Sequence, residues 1–166
     1  MSEVEPSLFD LYSFDTSAFI NGRKSLFLPT SFGAIWDGIA VLANQGVVRA
    51  VDEVKRELAR KEDETYTWAK GVKGLFTPLH EDIQIATSAV LAAHPKLLGI
   101  GGRRDRNAAD PFVVALALAR GGTVVTQEEP RDLNKPRIPD VCDAMNVPWM
   151  TLPQFVDAQD WKITLG

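Results

Sequence analysis

Short apolar runs alternate along this chain with longer stretches of helical period. Leu11-Tyr12-Ser13-Phe14 is β-prone and stops abruptly at Asp15-Thr16, which predicts a buried, central first strand. A short helix through 17–20 follows and ends near Asn21-Gly22, and Lys24 to Pro29 reads as loop. From Ser31 onward, Phe32, Ile35, Trp36, Ile39 and Leu42 fall on one helical stripe, which Asn44-Gln45-Gly46 closes. A second strand is predicted at 47–50. The helix 51–61 after it turns Val54 and Leu58 inward and sets Glu53 and Glu57 one turn apart on another face. Residues 63–70 predict another helix carrying Trp68. Residues 71–78 are a turn region with room for a short strand at Gly74-Leu75-Phe76. A helix at 81–93 and a glycine-rich basic loop at 96–107 come next.

The second half is punctuated more sharply. Ala109-Asp110-Pro111 has the form of a helix start, with Asp110 able to cap and Pro111 placed where a missing N–H costs nothing. Residues 112–120 are almost wholly apolar, so that helix should be buried on most sides until Gly121-Gly122 stops it. A buried strand at 123–126, a polar loop at 127–137, a helix at 139–145, a strand at 148–150 and a helix at 151–157 capped by Thr151 complete the pattern. Helices alternating with short apolar strands predict an α/β fold with a mostly parallel sheet between helices. No repeat or linker divides residues 1–166, so a single domain is expected, its core at about 11–156.

Composition narrows the class. Hydrophobic residues at 45% and charged residues at 24% over 166 positions are those of a globular chain, which excludes global disorder. A lone cysteine, Cys142, excludes an internal disulfide and a cysteine-built zinc site, and it fits a reducing cytoplasm. The first residues are acidic without an apolar segment. The longest apolar run, 112–119, is far shorter than the roughly 20 residues of a membrane span. Neither export nor membrane insertion is expected. A net charge of −4 argues against a wholly basic nucleic-acid coat, yet it leaves room for basic patches around an acidic site.

In open α/β sheets, ligands sit beyond the carboxyl ends of the strands. Asp15 follows the first strand. Glu53 and Glu57 follow the second. Thr126 ends the 123–126 strand, with Glu128 and Glu129 just after it, and Asp110 heads the apolar helix that feeds that strand. Four acidic places thus reach one sheet edge, with no histidine or cation among them. Such a cluster is unfavourable until a hard divalent cation enters it, and Mg²⁺ or Mn²⁺ with oxygen ligands suits hydrolysis of a phosphodiester. Each acid also has a plainer role: Asp110 as a helix cap, Glu53 or Glu57 as a solvated helix face, Glu128 and Glu129 as loop charge, Asp15 as a cap.

The ordered set of strand-Asp15-Thr16-Ser17, Glu57-Leu58, Ala109-Asp110-Pro111-Phe112-Val113-Val114-Ala115-Leu116-Ala117 and Val124-Val125-Thr126-Gln127-Glu128 resembles the PIN domain. That family comprises small metal-dependent ribonucleases, many of them toxins of toxin–antitoxin pairs. Tyr12–Ile20, Trp36, Glu53-Val54, Trp68 and the 135–142 segment resemble one PIN-like subfamily. The resemblance spans about 12–155. It implies a three-layer α/β/α fold in which Asp15, Glu57 and Asp110 bind the metal. Thr126 and Glu128 stand where the family closes with Thr-x-Asp. Here the last acid is Glu128, whose longer arm favours contact through water. Glu129 stands in reserve for Glu128, and Glu53 for Glu57. Thr16, Ser17 and Thr126 would orient carboxylates or water. Asp140 reads as a charge at a helix N-terminus beside Pro139.

RNA would be held by Arg23 and Lys24, by Arg103, Arg104 and Arg106, and by Arg131, Lys135 and Arg137, while Trp36 and Trp68 belong to the core. The partners implied are RNA, an antitoxin protein and a second copy of the chain. The faces of 32–42 and 151–157 are candidate surfaces for a homodimer or a partner. The alternative function is a non-catalytic PIN-like interaction module. An aspartyl phosphatase is disfavoured, because Ser17 stands where its second acid would be. A phosphoacceptor domain is disfavoured too, because no lysine follows Val124-Val125-Thr126.

Overall fold

A computed structural model of the chain describes residues 11–98 and 108–165. Five parallel strands form one sheet in the order β3-β2-β1-β4-β5: β1 (Tyr12–Phe14), β2 (Val48–Val51), β3 (Phe76–Thr77), β4 (Thr123–Val125) and β5 (Trp149–Met150). The α/β expectation holds, with β1 central. Tyr12 pairs in register with Val48 on one side and Thr123 on the other, and Phe14 pairs with Val125. The strand order runs outward from β1 through β2 to β3 and then restarts with β4 on its other side. The crevice between the carboxyl ends of β1 and β4 is therefore the topological switch point.

Among the described residues, eight α-helices accompany the strands: α1 (Thr16–Asn21), α2 (Pro29–Asn44), α3 (Asp52–Ala59), α4 (Glu64–Lys70), α5 (Glu81–Ala93), α6 (Asp110–Arg120), α7 (Ile138–Ala144) and α8 (Leu152–Ala158). The alternation along β1 sorts them into two layers. Ser13 faces α6 and donates from Oγ to the carbonyl of Val113 at 2.8 Å. Tyr12 and Phe14 face the other way. The Phe14 ring centroid lies 5.3 Å from Phe19 of α1 and 5.1 Å from Phe155 of α8, and Tyr12 lies 4.8 Å from Phe155. The three-layer α/β/α architecture follows. α6 is the buried helix expected from its sequence: Val113 to Ala117 are sealed from solvent, and Gly121 ends it with a φ of +65° that favours glycine.

Three local expectations are corrected. The 24–29 segment is not all loop: α1 continues without a break into a π-helical turn, Gly22–Leu26, before α2 begins two residues early at Pro29. The third strand lies at Phe76–Thr77 rather than 74–76. Asp110 does not cap α6. The N-cap position falls on Ala109, Asp110 is the first helical residue, and its side chain makes no capping hydrogen bond. No helix among the described residues is long and apolar enough to cross a membrane.

Close approach of β4 to the chain entering β1 depends on Gly122. A Cβ there would lie 2.5 Å from the carbonyl oxygen of Leu11, which is backbone and cannot swing away. Gly122→Ala should therefore destabilise the protein by about 1–3 kcal/mol, as overpacking of a closed core does. Urea unfolding of the purified variant checks this, and an unchanged midpoint would contradict the packing described.

Candidate active site

The switch-point crevice gathers acids from four separate segments. Asp15 leaves β1 only 2% exposed. Its backbone N–H continues the ladder to Val125, and its Oδ2 accepts from Ser17 Oγ at 2.6 Å and Thr126 Oγ1 at 2.9 Å. The Thr126 bond spans the crevice between β1 and β4. Ser17 Oγ in turn accepts from the Gln127 N–H at 2.9 Å, and Thr126 Oγ1 accepts from the Glu128 N–H at 3.1 Å. Ser17 and Thr126 thus act as a relay that ties the end of β4 to the Asp15 carboxylate.

Glu57 enters from α3. Its Oε1 accepts from Thr16 Oγ1, and its Oε2 accepts from the Ala109 N–H at 3.0 Å, just ahead of α6. Glu57 thus takes up a backbone donor at the helix start where the sequence had offered Asp110. Asp110 itself is 6% exposed, and no donor among the described residues reaches its carboxylate. Glu128 reaches in from the loop after β4, with Oε1 accepting from the Ile138 N–H at 3.0 Å.

Burial and like charge act together on these groups. Burial, followed by the charges of Glu128, Asp15 and Glu57, pushes the Asp110 carboxyl well above the usual carboxylate range. Glu128 is pushed up to about 7, first by burial and then by Asp15, against a hydrogen bond from Ile138 and the nearby positive charge of Arg137. Burial also raises Asp15, though its bonds from Ser17 and Thr126 resist, and raises Glu57, where Thr16 and Ala109 resist.

The donor set is all oxygen and bears on the fit of a cation. Among the described residues, Glu57 has both oxygens engaged, whereas Asp110 has neither, and Glu128 keeps Oε2 without a donor. A buried carboxylate left without a donor among three others is the chemistry that a hard divalent cation satisfies. Among the described residues, however, no three His, Cys, Asp or Glu side chains stand close enough to form a ready metal-binding group. The carboxylates feel one another's charge without forming a closed ligand shell.

The remaining candidates separate. Glu53 turns its Oε2 to Arg56 at 2.7 Å, and its Oε1 is buried without a partner, so Glu57 rather than Glu53 faces the pocket. Glu129 is exposed beside Glu128. Asp140 holds the backbone N–H groups of Arg131 and Arg137, each at 2.9 Å, a local role at the start of α7. Arg23 is corrected: it is 5% exposed, and its guanidinium lies 4.9 Å from the ring centre of Trp36 and 4.5 Å from that of Trp68, with Glu64 as its ion-pair partner. Arg23 is a core clamp rather than an RNA contact, because the π-helical turn points it inward. Lys24 pairs with Asp63 at 2.7 Å. Arg131 and Lys135 are exposed on the loop after β4, and Arg137 lies close enough to Glu128 to oppose its upward shift. Arg103, Arg104 and Arg106 lie outside the described residues. Sequence reasoning missed Asn21, Gln127 and Trp149, which line a cleft opening beside Ser17 and Glu128. The position of Trp149 on β5, paired with Val124 of β4, was the available signal.

A central parallel sheet between helix layers, with acids at the β1/β4 crevice, is a three-layer α/β/α fold of the PIN-like kind. The chain belongs to the family described as Domain of unknown function (DUF4411), whose profile matches residues 12–163. Its fold is shared by a chain in the crystal structure of VapBC2 from Rickettsia felis bound to a DNA fragment from their promoter. The TM-score is 0.51 and the identity 13%, over 85% of this chain and 98% of that one. No curated protein matches.

The raised carboxyls make a signed prediction. A group whose folded pKa lies above its unfolded value favours folding most below the unfolded value, and that contribution is lost as pH rises through the folded one. For Glu128 the window runs from 4.5 to about 7. In cation-free buffer the melting temperature should therefore fall across this window. Asp110→Asn should melt a few degrees above wild type at about pH 8 and lose most of that advantage near pH 4.5. Calorimetry at both pH values decides, and an Asn variant melting lower at about pH 8 would contradict the reading.

Proposed function

We propose that this chain is a metal-dependent endoribonuclease, the toxin of a toxin–antitoxin pair acting in the cytoplasm as a single domain. The observation that carries the reading is Asp110, a buried carboxylate with no donor among the described residues, meeting Asp15, Glu57 and Glu128 at the switch point of a PIN-like sheet. Asp15, Asp110 and Glu128, with Glu57, would hold Mg²⁺ or Mn²⁺. That ion, when bound, supplies the charge that activates water and offsets a phosphate under attack.

The chain's own residues do the rest. Ser17 and Thr126 fix the Asp15 carboxylate through Oδ2 and so decide which of its lone pairs face the pocket. Thr16 and the Ala109 N–H hold Glu57 in place between α3 and α6. Glu128, held at Oε1 by the Ile138 N–H, has Oε2 to turn toward the pocket. Arg131, Lys135 and Arg137, together with Arg103, Arg104 and Arg106, would supply the phosphate contacts, whose salt dependence is that of counterion release.

A labelled single-stranded RNA incubated with the purified chain tests the reading. Cleavage should require Mg²⁺ or Mn²⁺, stop with EDTA, and fall by about 100-fold or more in Asp15→Asn and in Asp110→Asn. The alternative, a PIN-like interaction module without catalysis, draws on the lack of a ready metal-binding group among the described residues. Cation-independent RNA handling, indifferent to both variants, would favour it.

The toxin assignment has its own support in the shared fold with a chain of VapBC2. An antitoxin would cover the acidic pocket, with an inserted Arg or Lys relieving the repulsion among its carboxylates. A homodimer through the faces of α2 or α8 belongs to the same reading. Over-expression of the chain alone should arrest growth, and co-expression of the adjacent small gene should restore it. Normal growth with no co-purifying neighbour would remove the toxin assignment and leave the nuclease reading to the RNA assay.

A further inference from the structure

A cleft of about 490 Å³ opens next to the acidic pocket and shares Ser17 and Glu128 with it. Its volume falls in the roughly 300–1,000 Å³ of small-ligand sites. Its other walls carry chemistry that the acidic pocket does not use. Trp149 is half-buried at the start of β5, packed against the core yet lining the cleft, and its Nε1 donates to Asp143 Oδ1 at 2.9 Å. That bond fixes the ring, so its contribution costs little ordering on binding. Arg137 lines the same cleft. No acceptor among the described residues takes its guanidinium, although Glu128 and Glu129 stand nearby. The amide of Asn21 and the Nε2 of Gln127 are likewise unclaimed there, since Gln127 uses only Oε1, toward the N–H of Leu152.

An aromatic face, a guanidinium without an acceptor among the described residues, the Asn21 amide and the Gln127 Nε2 beside the acidic pocket match one nucleotide of a single strand. Stacking on an aromatic side chain is the sequence-tolerant way to hold a base, and arginine is the usual phosphate contact. We propose that this cleft is a nucleotide subsite for single-stranded RNA: Trp149 stacks a base, Arg137 binds a backbone phosphate, and Asn21 and Gln127 face the base edge. The subsite rests on the nuclease reading for its substrate class. It sets where along the strand the scissile phosphate meets Asp15 and Asp110.

The test is fluorescence anisotropy with a labelled oligouridylate and an abasic strand of equal length, with Ca²⁺ replacing the catalytic cation. Wild type should bind the oligouridylate about tenfold or more tightly than the abasic strand. Trp149→Leu, which keeps apolar bulk, should erase that difference, and Trp149→Phe should keep most of it. Arg137→Gln should weaken both probes alike and reduce the salt slope by about one. Equal affinities of wild type and Trp149→Leu for oligouridylate would overturn the subsite, as would loss of a partner protein rather than RNA in the Trp149 variants. If wild type cuts RNA while Trp149→Leu binds unchanged, the subsite falls and the nuclease reading stands. If base discrimination depends on Trp149 but cleavage ignores Asp15→Asn, the nuclease reading falls and the subsite stands. A wild type that binds neither strand overturns both.

Discussion

Asp15, Asp110, Glu57 and Glu128 lie within reach of one another's charge while largely shielded from water, and the rest of the site is arranged around that conflict. The sheet imposes it. β1 is central and ends at the switch point, so the residue after Phe14 is carried into the crevice whether or not it bears a charge. α6 packs across the face that Ser13 presents, which brings its first residue, Asp110, to the same edge. The topology dictates these positions but not the charge that they carry. Acids at positions dictated by the topology oppose stability, and that is the physical reason to look for a ligand.

Hydrogen bonding relieves the conflict unevenly. Asp15 receives two hydroxyl donors, and Glu57 receives a hydroxyl and a backbone N–H. Glu128 receives one backbone N–H, and Asp110 none among the described residues. The two best-satisfied carboxylates are thereby rigid and oriented, while the two least satisfied retain lone pairs toward the pocket. A donor network that satisfied all four would make a quieter protein with nothing left to coordinate. The gradient from Asp15 to Asp110 is what separates a site of this kind from a structural polar cluster.

The strands and long helices were legible because period and punctuation report burial directly. The apolar stretch at 112–120 followed by Gly121-Gly122 had only one plausible packing, and β1 ended where its apolar run did. The acids were legible as places, since their positions after strands depend on the same punctuation. Their partners were not. The capping role offered by Asp110-Pro111 fell away because Ala109 occupies the cap and Glu57, 52 positions earlier, takes its N–H. Arg23 read as a surface cation because helix propensity near Asn21-Gly22 is weak. Packing overrides that signal: Gly22 lets the chain press against Trp36 and Leu152, and the π-helical turn delivers Arg23 between two tryptophans. Choices between Glu53 and Glu57, or Glu128 and Glu129, turn on which way a helix face or loop points, and neighbouring positions in sequence carry no such information.

The two sides of the crevice are built differently, and the difference bears on direction. On the α3 side, Glu57 is locked between Thr16 and Ala109, so that wall is closed by hydrogen bonds internal to the protein. On the β5 side, Gln127 Oε1 accepts from the Leu152 N–H at the start of α8, Asp140 anchors the loop after β4, and Asp143 anchors Trp149. The backbone there is held firmly, while the Arg137 guanidinium and the Asn21 amide line the cleft without a hydrogen-bond partner among the described residues. Hydrogen bonds hold Ser17, Gln127, Glu128 and Trp149 in the cleft wall, while the Arg137 guanidinium takes no acceptor among the described residues and remains available to something outside the chain. Under the proposed function, a strand entering the pocket would lie over β4 and β5 rather than over β2.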